Sequence, residues 1–376
     1  MKIAILGSAH PLRGGLASYN ERLAAEFIRE GNEVTIYSFS LQYPQFLFPG
    51  KSQYTNQLPP AGLNIDTCVN SINPLNWIQV GLKIKKQKPD ILIVKFWLPF
   101  MAPCLGTICK IVHGNKHTRI LAIIDNIIPH EKRPGDRLLA QYFCHQIDAF
   151  IVMSRSVEKE LKSFTQKQPI QFNPHPLFDH FGDAVPREQA CRQLQIDPQC
   201  RYMLFFGFIR NYKGLDILLD ALADERLKAL NVKLIIAGEF YEDATPYRQK
   251  IETHQLQHKV ILKTEYIPDD QVRYFFSAAE LVVQPYKQAT QSGVTQIAYH
   301  FEKPMLVTAV GGLPEMVPHR KAGYVTRPNA NEIAECIHSF FTRNEAELFA
   351  EGIKEEKEKY RWSRLTTNIR QMLSKA

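Results

Sequence analysis

The 376-residue chain has no uninterrupted apolar run long enough to cross a bilayer. Its longest apolar stretch, Phe96 to Val112, is broken by Pro99 and Pro103 and charged at Lys110, so it reads as a buried helix. Cysteine is scarce: seven residues, at 68, 104, 109, 144, 191, 200 and 336, with no CxxC pair among them. That spacing excludes a disulfide framework or a zinc site and predicts the reduced, mostly buried thiols of a cytosolic protein. The strand-like Lys2-Ile3-Ala4-Ile5-Leu6 follows the first residue directly, so no secretion leader is expected. Neither a helix-turn-helix pattern nor an interleaved aromatic and basic platform is found, and nucleic acid is not an expected partner.

What is present is ordinary globular material. Hydrophobic residues make up 45% of the chain and charged residues 22%, which excludes a disordered or fibrous protein. The length suits two domains. The formal charge of +8 is uneven, because residues 1–180 hold 20 Lys and Arg against 13 Asp and Glu, whereas residues 181–376 hold 26 against 25. A basic first half either needs no partner or meets an anionic one, such as a membrane surface or a phosphorylated acceptor. The run Lys83-Ile84-Lys85-Lys86-Gln87-Lys88 reads as a solvated helix face or as a contact with anionic lipid.

Short apolar runs alternate with helix-period segments throughout. In the first half the expected strands are Lys2–Leu6, Glu33–Ser38, Asp90–Phe96, Arg119–Asp125 and Ala149–Ser154, continuous and β-branched as in strands buried on both faces. Between the first two, Leu16–Glu30 carries Leu16, Tyr19, Leu23 and Phe27 on one helical stripe and stops at Gly31. After a polar, proline-bearing stretch around Pro174–Gln199 the pattern restarts. Strands are expected at Tyr202–Phe206, Val232–Ala237, Val260–Lys263, Leu281–Gln284 and Met305–Val307, with helices at Leu215–Ala223, Asp270–Ala278, Thr295–Phe301 and Asn331–Phe341. Two successive βαβα series predict an α/β chain of two Rossmann-like parallel-sheet domains facing a central cleft. In such sheets ligands bind in the loops that follow strands.

Three such loops stand out. Gly7-Ser8-Ala9-His10-Pro11-Leu12-Arg13-Gly14-Gly15 follows the first strand and lacks the GxGxxG dinucleotide pattern; Gly14 and Gly15 read either as a tight turn or as backbone open to a ligand. Gly207-Phe208-Ile209-Arg210-Asn211-Tyr212-Lys213-Gly214 places two cations three residues apart at a helix entry, either solvated or clamping a diphosphate. Pro285 to Gln296 presents Ser292 and Gly293 at a helix start, a cap or a second anion cradle. Gly311-Gly312-Leu313-Pro314-Glu315 is a further glycine-rich helix entry.

Taken in order, these residues carry a resemblance. G-x-x-R-x-x-K-G at 207–214, the Pro-Tyr loop at 285–286, Ser292-Gly293 and Gly311-Gly312-x-x-Glu315 resemble the nucleotide-sugar domain of retaining glycosyltransferases of family 4, which have the GT-B architecture. Gly14-Gly15, Asp125-Asn126-Ile127-Ile128-Pro129-His130-Glu131, Asp148, Ser154 and His175-Pro176 extend the resemblance more loosely over the first half. It implies residues 1–178 as an acceptor domain, 179–360 as a nucleotide-sugar domain, and a helix at 361–376 crossing back to the first. It also implies a UDP- or GDP-sugar donor, no metal and no other cofactor, and a glycan or lipid-linked acceptor used in building cell-surface polysaccharide or glycolipid. The enzyme would be cytoplasmic or peripheral on the inner face of the membrane. Arg210 and Lys213 would neutralise the diphosphate. Gly207, Gln288, Ser292, Gly293, Val294, Gln296 and Glu315 would line the donor, and Gly14 and Gly15 would close over it.

The chain departs from that pattern where the family has two glutamates eight apart, since both are amides here, Gln288 and Gln296. An amide still recognises hydroxyls but brings no negative charge. Phe208 occupies the place where the family's arginine is common. For a base near the acceptor the candidates are His130 and Asp125, followed by His10 and Glu131. Asp269-Asp270 reads as a helix start, not a metal motif. Two other readings remain open: a non-catalytic partner subunit that binds nucleotide or glycan, and a sugar-nucleotide epimerase.

Overall fold

The computed structural model describes residues 1–44, 53–55, 58–128, 134–289 and 292–374. It divides into two compact units, Met1–His175 with Trp362–Ala376, and Pro176–Arg361. The first holds seven parallel strands: β1 (Lys2–Leu6), β2 (Glu33–Leu41), β3 (Asn64–Asn70), β4 (Ile91–Phe96), β5 (Arg119–Ile124), β6 (Ala149–Val152) and β7 (Ile170–Phe172). Their order across the sheet is β3-β2-β1-β4-β5-β6-β7. Helices cover both faces, which explains the unbroken apolar strands: Ile3 and Ile5 pack with Phe27, while Ala4 and Leu6 pack on the other side with Ile84 and Leu105.

The second unit has six parallel strands: β8 (Arg201–Phe206), β9 (Val232–Ala237), β10 (Val260–Lys263), β11 (Leu281–Gln284), β12 (Met305–Thr308) and β13 (Gly323–Thr326). Their order is β10-β9-β8-β11-β12-β13. In both units the chain therefore reverses its direction of travel across the sheet beside the first strand, between β1 and β4 and between β8 and β11. Ligand crevices form at such switch points, outside the carboxyl ends of the strands.

Several details differ from the sequence-based expectation. Three strands, β3, β7 and β13, escape it, and all three lie at sheet edges. β3 and β7 also carry polar or half-exposed side chains instead of a continuous apolar run. The expected helix at Thr295–Phe301 starts earlier and spans Gly293–His300, because Ser292 is extended and serves as its N-cap. Asp125 falls just past β5, not in it. At Asp269-Asp270 the N-cap is Pro268; the two carboxylates sit in the first turn of Asp269–Ala278 and act through the helix dipole.

The apolar stretch after β4 becomes the helix Ala102–His113. Pro103 lies in its first turn, where no N–H is needed, and Cys104, Leu105, Ile108, Cys109 and Val112 are buried. No helix among the described residues is long and apolar enough to cross a membrane. All seven cysteines are free, with Cys68 and Cys336 half-buried and the others buried. The final helix, Trp362–Ser374, packs on Gly15–Arg29 and on β5 and β6. Thr366 and Arg370 bond Glu30, and Asn368 bonds Asn173.

Candidate functional site

At the β8–β11 switch point of the second unit, the loop after β8 turns back on itself at Gly207, whose φ is +94°. A side chain there would be strained, and its Cβ would come within 2.9 Å of the Lys213 Nζ and 3.7 Å of Val294 Cγ2. Gly207, Lys213 and Val294 thus converge on one spot. A second glycine, Gly214 (φ +69°), lets the turn enter Leu215–Leu222 directly beneath the Pro285 carbonyl, which a Cβ would meet at 1.9 Å.

Lys213 is buried, yet among the described residues its ammonium has no hydrogen-bond or ion-pair partner; the Tyr286 ring lies 5.8 Å away. Burial, and then the positive Arg210 nearby, pull its pKa from 10.5 down to about 8. Arg210 itself is exposed and stacks on Tyr241 at 5.0 Å. A buried, unneutralised cation costs free energy unless an anion joins it.

Beside this cation, β11 ends in Gln284, whose Oε1 accepts from the Ser292 Oγ at 2.6 Å and the Thr295 Oγ1 at 3.1 Å. The Tyr286 hydroxyl lies 3.3 Å from the same serine oxygen, and its pKa is raised by burial. The Ser292 side chain is thereby engaged with Gln284 and does not cap its own helix, so that among the described residues the first-turn N–H groups of Gly293–His300 have no side-chain acceptor. Gln296 is fully buried with neither amide atom paired among the described residues. Unpaired donors and an acceptor of this kind are rare in protein interiors.

A cavity of about 350 Å³ opens at the Gly207 turn. Phe181, Phe206, Phe208, Tyr266, Ile267 and Val272 give it apolar walls, and Lys213, Glu239 and Asp269 are its charged members. Phe208 is exposed and lies 4.2 Å from the Tyr241 ring. A flat heteroaromatic ring suits those walls, and an anionic tail suits the lysine.

The remaining expected residues are placed differently. Gln288 is exposed whereas Gln296 is buried, and Glu315 is exposed on Leu313–Met316. Gly293 carries Phe178 against its backbone, at 3.2 Å from where a Cβ would be. In the first unit, Gly14 (φ +104°) and Gly15 are exposed with open space around them. The carboxylate of Asp125 accepts from Lys95 at 2.7 Å. His130 and Glu131 lie outside the described residues. The backbone N–H of His10 donates to Glu21 at 2.7 Å.

Sequence reasoning missed Lys95, Gln284, Glu239 and the Tyr266–Ile267 wall. The signal for two of them is a polar residue within or at the end of an apolar run: Lys95 in Ile-Leu-Ile-Val-Lys-Phe at 91–96 and Gln284 in Leu-Val-Val-Gln at 281–284.

Comparison with known proteins matches residues 13–176 to the family described as Glycosyltransferase Family 4, and residues 200–343 to Glycosyl transferases group 1. An uncharacterized glycosyltransferase of Methanocaldococcus jannaschii is 24% identical over 89% of this chain and 87% of its own. A GDP-mannose:glycolipid 4-beta-D-mannosyltransferase of Xanthomonas campestris is 34% identical over 50% of each chain. Among solved structures, a glycosyltransferase from Rickettsia africae superposes with a TM-score of 0.72 at 16% identity, over 100% of this chain and 99% of that one. HepE of Anabaena, solved with UDP, gives 0.69 at 16% identity over 100% of both. These likenesses give the fold, two Rossmann-like parallel-sheet domains of GT-B type.

Proposed function

The chain belongs to the family 4 glycosyltransferases, and from that premise we propose that it moves a sugar from a UDP- or GDP-sugar to a glycan or lipid-linked acceptor with retention at the anomeric carbon. The observation that carries the donor half of this reading is the buried, unpartnered ammonium of Lys213, set against Gly207 in the wall of the cavity. A diphosphate bound there supplies the missing counter-charge.

Chemistry follows from charge. As the bond between the anomeric carbon and the β-phosphate oxygen breaks, negative charge grows on the diphosphate, and Lys213 with Arg210 stabilises it. The N–H groups of the Gly293 helix start, which have no side-chain acceptor among the described residues, add to that field. The acceptor oxygen bonds to the same face of the anomeric carbon, and its proton passes to the departing phosphate oxygen. Two side-chain cations stand where a divalent ion would otherwise act, so activity in excess EDTA is expected to match that without it. Gln296 takes a donor hydroxyl through its unpaired amide. The nucleobase occupies the apolar walls between Phe208 and Tyr266.

In this reading the acceptor and the basic charge belong to the first unit, and the enzyme serves cell-surface polysaccharide or glycolipid synthesis at the inner face of the membrane. GDP-mannose and a glycolipid are the substrates named for the Xanthomonas relative. The decisive experiment is a thermal-shift panel of UDP, GDP and their sugars. A shift with at least one of them that disappears in Lys213→Ala supports the donor site; no shift with any at millimolar concentration refutes it. An epimerase would consume the sugar nucleotide with no acceptor present, which a product assay reads directly.

A further inference from the structure

The helix Pro74–Gln87 buries Val80, Gly81 and Ile84 against its own unit, yet it is apolar on its outer side as well. Leu75 is 70% exposed, Leu82 53% and Ile78 45%, and Ile72 just before the helix is also exposed. At about 100° per residue, Leu82 lies roughly 20° from Leu75 around the axis, Ile78 about 60° to the same side and Lys86 about 20° to the other. The three apolar residues therefore form one stripe pointing at solvent, continued by a lysine. Lys83, Lys85, Lys86 and Lys88 belong to the same segment, and residues 72–88 contain no Asp or Glu. Lys83 is paired with Asp66, whereas Lys86 and Lys88 are exposed with no ion-pair partner among the described residues.

We propose that this outer face is a membrane-docking surface, with Leu75, Ile78 and Leu82 inserted at the headgroup boundary of an anionic bilayer and the lysines on its phosphates. The warrant is the combination: an exposed apolar stripe flanked by positive charge only is what an in-plane interfacial helix presents. Charge decides the occupant. Two copies of this helix would set lysines against lysines, and an ordinary solvated face would not spend three large aliphatic side chains at one stripe. The surface rests on and deepens the reading above, favouring the lipid-linked acceptor over a free glycan and naming where the enzyme would meet that lipid.

The test is co-sedimentation of the full chain with phosphatidylcholine vesicles, with and without phosphatidylglycerol. Binding is expected only with the anionic lipid and should weaken as salt rises. Leu75→Ser/Ile78→Ser/Leu82→Ser should reduce partitioning by about tenfold or more. Lys86→Glu/Lys88→Glu, which leaves the stripe intact, should remove the preference for phosphatidylglycerol. Wild-type partitioning by either variant overturns the proposal, as does a concentration-dependent dimer in sedimentation that the serine variant abolishes. The nucleotide-induced thermal shift, measured on the same samples, is expected to be unchanged in both variants and shows that they are folded. Vesicle binding without any nucleotide shift in the wild type would sink the transferase reading and leave the surface standing; the converse would do the reverse.

Discussion

Each unit carries a buried lysine at its switch point, and the two are treated in opposite ways. Lys95, near the end of β4, donates to Asp125 at 2.7 Å and lies 3.7 Å from the centre of the Tyr19 ring. Burial lowers its pKa and Asp125 pushes it back up. Lys213, after β8, is paired with no carboxylate among the described residues, and the positive Arg210 nearby lowers its pKa further. One cation is neutralised by its own chain; the other has no neutralising partner among the described residues. The two positions are not topological counterparts, since Lys95 lies within β4 and Lys213 in the turn that follows β8, the first strand of its own sheet. What separates them is the identity of the nearest charge.

The comparison breaks most visibly if charge is removed from each pair. Asp125→Asn leaves Lys95 buried without a counter-ion, and breaking such a pair costs about 3–5 kcal/mol; the low end applies because Asp125 is partly exposed. A large loss in urea stability with nucleotide binding retained is expected. Lys213→Met removes an uncompensated cation instead, so the apo protein should gain roughly 2 kcal/mol while losing its response to UDP and GDP. If both variants lose stability equally, the two lysines are alike and the contrast fails.

A milder substitution sharpens the binding half. Lys213→Ala should weaken diphosphate affinity by roughly 2–3 kcal/mol, about 30- to 150-fold, as expected for a desolvated charged hydrogen bond. Titration calorimetry reads this directly. An effect no larger than that of Lys159→Ala, an exposed lysine of the first unit, would remove Lys213 from the site.

Protonation offers the next test. With its pKa lowered to about 8, Lys213 begins to lose its charge in the mildly alkaline range. Nucleotide affinity should therefore hold below that pH and fall as pH rises through it, with a proton taken up on binding there. For stability the sign is opposite. Between about 8 and the ordinary 10.5 the unfolded chain binds the proton more tightly than the folded one, so the apo protein gains stability as pH rises through that window. Lys303 is lowered to a similar value by burial, so the wild-type curve must be compared with that of Lys213→Met to isolate the contribution.

Much of this was legible in the sequence, and the reason is periodicity. Strands buried on both faces leave long apolar runs, so β1, β4, β5, β8 and β9 stand out, and the glycine and cation loops follow them by rule. The edge strands β3, β7 and β13 were not legible, because pairing on one side and partial exposure leave no distinctive pattern. Pairing between distant residues is invisible for a different reason. Nothing in Ile-Leu-Ile-Val-Lys announces that Asp125 will satisfy the lysine, and nothing in G-x-x-R-x-x-K-G announces that Lys213 will go unsatisfied. Gln288 and Gln296, equal in the sequence, differ in the same way: one is exposed and the other is sealed in with its amide unpaired among the described residues.

That difference gives the smallest and most specific expectation. An amide that hydrogen-bonds its own protein loses stability when cut back to alanine, because its former partners are left unsatisfied. Gln296 has no such partners among the described residues, so Gln296→Ala should cost little beyond the packing of the side chain. If the amide is kept for a donor hydroxyl, the cost appears instead in the complex, as a loss of about 1 kcal/mol or roughly fivefold in nucleotide affinity. Gln288→Ala, on the exposed loop, should leave nucleotide affinity within twofold. Measuring urea midpoints and nucleotide affinity on the two alanine variants separates the roles. A Gln296→Ala protein that is markedly less stable, with affinity unchanged, would mean that the amide is a packing element and that donor recognition lies with other residues.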